Sequence, residues 1–74
     1  MNTHDYLIIV HPDEDGGFWT EVPALSGCGS QGETVEEAVE MTKDAIQGFI
    51  ASMRAHGEAP PEERTLAIKV TVAA

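Results

Sequence analysis

One cysteine, four aromatic residues and four basic residues are all that this 74-residue chain holds of those types. With Cys28 alone, no disulfide can form within the chain. The cysteine and histidine spacing of a structural zinc site is missing too, because His4, His11 and His56 are scattered. Thirteen acidic residues stand against the four basic ones, for a formal charge of −9. Such a surface repels phosphate backbones and anionic lipid, so direct nucleic-acid or membrane binding is not expected. No apolar run approaches the ~20 residues needed to span a bilayer. The first five residues, MNTHD, have no basic region followed by an apolar stretch, so a secretory leader is not expected. A lone thiol fits a reducing cytoplasm. A single domain spanning residues 1–74 is expected, and at this size it buries only roughly 60 to 65% of its unfolded surface. With disulfide and metal set aside, self-association is the remaining means of reinforcing a thin core.

What is present reads as β-β-β-α-β. Residues 6–11, YLIIVH, form a short β-branched run between Asp5 and Pro12 and are predicted to be a strand. Tyr6, Ile8 and Val10 fall on one face and Leu7 and Ile9 on the other. Apolar character on both faces predicts a central strand covered on both sides. The tract PDEDGG at 12–17 is a turn, in which proline fixes φ, aspartates bond nearby N–H groups and glycines take positive φ. A second strand follows at 18–22, FWTEV, and Pro23 ends it. A short third strand is expected at 28–31. Thr34 with Glu37 makes a capping box, and acidic residues crowd the start of the helix it opens. Val35, Ala38, Val39, Thr42, Ala45, Ile46, Phe49, Ile50 and Met53 form one apolar stripe, so the helix should run to about His56 with Gly57 as its left-handed cap. At 1.5 Å per residue it is roughly 35 Å long and should overhang the sheet. After a stiff link containing Pro60 and Pro61, Leu66, Ile68, Val70 and Val72 alternate with more polar residues and predict a last strand at 65–72.

The expected architecture is therefore α+β and two-layered, with a small, mostly antiparallel sheet and one long helix on one face. A single helix leaves the other sheet face open. That face should be covered by another copy or by a partner.

Residues able to do chemistry are sparse. Asp13, Glu14 and Asp15 lie in succession, so their side chains diverge, and no calcium-loop spacing is present. They read either as a solvated hairpin turn or as a docking point for a basic partner. A nuclease-type carboxylate site needs acids that converge from separate elements, whereas the strand centres carry Leu7, Ile8, Ile9, Ile68 and Val70. Cys28 with His11 or His56 has no nucleophile signature, and Ser26 and Ser30 lie in turn sequence rather than in a nucleophile elbow. Phe18 and Trp19 are adjacent and must point to opposite faces. Phe18 is expected in the core, and Trp19 is either an interface anchor or an ordinary surface or core residue. The candidate partner-binding residues are thus Asp13, Glu14, Asp15 and Trp19, with no catalytic residue, metal or cofactor.

The ordered run of residues 7–10 (LIIV), the turn 12–17 (PDEDGG), the strand 18–23 (FWTEVP), then LSGC at 25–28, SQGETVEEA at 30–38 and the helix containing Ala45 and Ile46 resembles the HicB family of small antitoxins. More narrowly, it is similar to that family's partial RNase H-like domain, over roughly residues 5–60. The resemblance implies a three-stranded antiparallel meander, a helix, and a last strand beside the first. It also implies a non-enzymatic protein that forms a dimer or tetramer and blocks a small, basic RNA-cleaving toxin of the HicA type. The charge of −9 suits such a partner independently. Many members carry a further helix-turn-helix or ribbon-helix-helix domain. The resemblance here is to the short form without it, so operator binding is not expected of residues 1–74. A stand-alone oligomeric module, binding a small molecule or acting in regulation without a toxin, is the alternative. RNase H-like architecture does not by itself imply nuclease activity.

Overall fold

A computed structural model describes residues 3–74 of the chain. Met1 and Asn2, which belong to the expected domain and to the expected leaderless start, lie outside the described residues. Three strands and one helix form in the order β1 (Ile9–Pro12), β2 (Phe18–Glu21), β3 (Gln31–Gly32) and α1 (Val35–Ala55). The sheet is antiparallel throughout, in the order β1-β2-β3. The helix packs across one face, giving the two-layer α+β arrangement that the patterning requires.

The third strand is shorter than the expected 28–31, but its register extends beyond it. Thr20 N–H donates to Ser30 O at 2.9 Å and Val22 N–H to Cys28 O at 3.2 Å, continuing the pairing of Trp19 with Gln31. Gly32 is where the helix meets the sheet. A Cβ there would lie 2.5 Å from the backbone nitrogen of Ala38, so only glycine lets the first turn of α1 settle onto β3.

The helix begins at the expected N-cap, with the return bond of the capping box made one residue earlier, to Glu33. Thr34 Oγ1 accepts from Glu37 N–H at 3.1 Å, and Glu37 Oε1 accepts from Glu33 N–H at 2.9 Å. It ends one residue earlier than expected. His56 is the C-cap, Gly57 takes φ +76°, and the His56 ring lies 2.7 Å from the Ser52 carbonyl. The apolar stripe faces the sheet, with Ala38 and Thr42 fully buried; only Val35, at its start, is exposed. Val22, Leu25 and Cys28 form the centre of the core, packed by Tyr6, Ile8, Ala45, Ile46, Phe49 and Met53.

Two expectations fail. First, β1 is an edge strand rather than a covered central one. Second, residues 65–72 are not a strand: among the described residues they have no ladder partner, and Leu66, Ile68, Val70 and Val72 are 75 to 84% exposed. What is fastened is the link before them. Tyr6 OH donates to Pro61 O at 2.6 Å, Leu7 N–H donates to Glu63 Oε1 at 2.7 Å, and Thr65 N–H to Glu63 Oε2 at 3.1 Å. The link is held at the start of β1, and the chain beyond it makes no ladder pairing with a described strand.

Candidate partner-binding face

Alternation along β2 sorts its side chains. Thr20 and Val22 turn under the helix and are buried, while Trp19 and Glu21 turn to the open face. Phe18 is half-buried and Trp19 is 42% exposed, as adjacent aromatics on opposite faces should be. His11 lies directly across from Trp19. The two rings stack with centroids 4.0 Å apart and planes 15° from parallel. His11 Nε2 is also 3.1 Å from Glu21 Oε1. The open face therefore carries a stacked pair, His11 and Trp19, closed on one side by a carboxylate and continued by half-buried Ile9. His11 and Glu21 lie outside the residues that the sequence marks for this face. The usable signal was the hairpin register, which a six-residue turn leaves open in sequence.

The acidic turn sits at the tip of the same hairpin. Asp13 is a turn former: its Oδ1 accepts from Asp15 N–H at 3.0 Å, its N–H donates to Gly17 O at 3.0 Å, and its carbonyl accepts from Gly16 N–H at 3.1 Å. Gly17 has φ +78°, and a Cβ on it would press on Gly32 O at 2.9 Å, so the tip is pinned against β3. Glu14 and Asp15 point to solvent from this fixed base. Among the described residues, no group of three or more His, Cys, Asp or Glu side chains is placed to hold a metal ion.

The possible nucleophile pair is not brought together. Cys28 is buried in the core, where desolvation raises its thiol pKa. His11 is on the opposite face of the sheet and His56 is at the end of the helix. Among the described residues no helix is long and apolar enough to cross a membrane.

The small α+β domain displays an acidic turn beside an exposed aromatic stack. Residues 6–73 match the family described as HicB-like antitoxin of bacterial toxin-antitoxin system. A UPF0150 protein of Thermoplasma acidophilum is 42% identical over 65 residues, covering 88% of this chain and 94% of its own length. Two UPF0150 proteins of Synechocystis are each 37% identical, covering 81% and 77% of this chain and 76% and 78% of their own lengths. The chain belongs to the HicB-like antitoxin family. That membership points to a non-enzymatic role within a toxin-antitoxin system and to a toxin as partner.

Proposed function

We propose that this chain binds and neutralises a small, basic ribonuclease toxin of the HicA type in the cytoplasm, acting as a homo-oligomer. The observation that carries the reading is the match to the antitoxin family over residues 6–73, in a chain of charge −9. Asp13, Glu14 and Asp15 set negative charge at the hairpin tip, where it draws a basic surface in and occupies cationic groups that would otherwise hold RNA phosphates. Trp19, stacked on His11, supplies the flat apolar contact that a recognition surface needs at its centre. Because Glu14, Asp15 and Trp19 are exposed, changing them should alter binding far more than folding.

The test uses the full chain as bait in native lysate. The expected result is one small basic protein, released by high salt, whose RNA cleavage stops on adding stoichiometric chain. The triple change of Asp13, Glu14 and Asp15 to Ala should weaken binding and flatten its salt dependence, and Trp19→Ala should speed dissociation. Recovery of the bait alone, as a stable oligomer, overturns the toxin reading in favour of a stand-alone module. An unchanged salt dependence in the triple variant removes the acidic turn from the interface.

A further inference from the structure

Two incomplete halves of one β-layer occur in this chain. The first is the outer edge of β1. Thr20 and Val22 give their N–H groups to β3, so alternation turns Trp19 and Glu21 toward β1 and pairs them with His11 and Ile9. The backbone groups of Ile8 and Val10 then point away from β2, to an edge with no neighbouring strand among the described residues. Beside this edge runs a groove of about 680 Å³ between β1 and α1, lined by Tyr6, Ile8, Ile46 and Ile50, with Lys43 and Arg54 at its rim. The second half is the segment 65–72, strand-patterned in sequence and unpaired among the described residues, with Leu66, Ile68, Val70 and Val72 at 75 to 84% exposure.

We infer that residues 65–72 of one copy add as a strand to the open edge of β1 in a second copy, their aliphatic face filling the groove between β1 and α1, with the exchange made reciprocally. Three observations select a second copy as the occupant. Pro61 and Glu63 are fastened to Tyr6 and Leu7, yet beyond them Leu66, Ile68, Val70 and Val72 stay exposed, so the segment does not pack on its own body. The chain reaches 48 Å in its longest dimension, well beyond the ~32 Å of its helix. Edge and segment are complementary parts of the same chain, so two copies related by a twofold axis satisfy both deficits at once. Lys69 is the segment's only charged side chain, so it carries no carboxylate into contact between two copies of charge −9. The exchange also makes β1 an inner strand, which its two apolar faces call for. None of this depends on the toxin reading.

Sedimentation of the full chain should give the mass of a dimer. In a dimer mixed from isotope-labelled and unlabelled chains, filtered nuclear Overhauser spectra should connect Ile68 and Val70 methyls of one chain to Ile46 and Ile50 of the other. Ile68→Asp should weaken dimerisation roughly tenfold to a hundredfold while leaving the helix signal in circular dichroism intact. Val70→Asp serves as the second variant if the first unfolds. A monomeric wild-type chain, a dimer indifferent to both substitutions, or methyl contacts confined to single chains would each overturn the exchange. The last outcome would place the segment on the chain's own β1.

Discussion

The hydroxyls of Thr20 and Thr42 lie 2.6 Å apart in the fully buried contact between sheet and helix. Thr42 Oγ1 is also 2.6 Å from Ala38 O, which can only accept, so Thr42 donates there and accepts from Thr20. Thr20 Oγ1 in turn accepts from Ser30 N–H at 2.9 Å. A directed chain of hydrogen bonds thus runs from the β3 side, through β2, into the helix backbone, and every buried polar atom in it is satisfied.

Thr42→Val, which keeps shape and removes the hydroxyl, should cost about 1–2 kcal/mol, because Thr20 is left with only the longer bond to Ser30 O at 3.3 Å in a buried site. Thr20→Val should cost more, since it also strands Ser30 N–H. The double variant should cost less than the sum of the two. Urea titration of the four proteins checks all three statements. Strict additivity would show that the hydroxyls do not act together.

Two glycines should respond oppositely to alanine. Gly32→Ala drives a Cβ to 2.5 Å from Ala38 N and should destabilise by about 1–3 kcal/mol through overpacking. Gly48 is exposed within α1 and has nothing within 4 Å of its would-be Cβ. Gly48→Ala should therefore stabilise by about 0.5–1 kcal/mol. Thermal melts of the two variants against wild type give the comparison.

The link at 61–65 should loosen in acid. Leu7 N–H, then Thr65 N–H, donate to the Glu63 carboxylate and hold its pKa below the usual value. A depressed folded pKa contributes stability that is present above the unfolded value of ~4.3 and lost as pH falls through the lower folded one. The Leu7 amide resonance should move in that acidic window. Glu63→Gln should abolish the titration and increase the mobility of residues 61–65.

Cys28 should resist alkylation in the folded protein, because burial both covers the thiol and raises its pKa. The rate of iodoacetamide labelling should follow the unfolded fraction across a urea series. Rapid labelling in native buffer would contradict the packing of Val22, Leu25 and Cys28.

Local rules were enough for much of this molecule. The helix N-cap, the helix stripe, the PDEDGG turn and the aromatic strand are all encoded within a few residues of where they act, and each appears in the structure as patterned. The acidic turn and Trp19 were visible for the same reason. His11 and Glu21 were not, because their place beside Trp19 follows from a cross-strand register that no local signal sets.

The last strand marks the boundary most clearly. The alternation of Leu66, Ile68, Val70 and Val72 marks residues 65–72 as a candidate amphipathic strand, but the structure leaves all of them exposed and unpaired among the described residues. Whether that segment pairs, and with which backbone, was decided only by tertiary structure. A strand's ladder bonds are made to residues far away in sequence, and here Pro61 and Glu63 are held by Tyr6 and Leu7 while the segment after them stays unpaired among the described residues. Sequence alone thus determined the α+β layers, the helix limits to within a residue and the net charge of −9. The fold decided that β1 lies at an edge, because strand order is a property of packing rather than of any one strand.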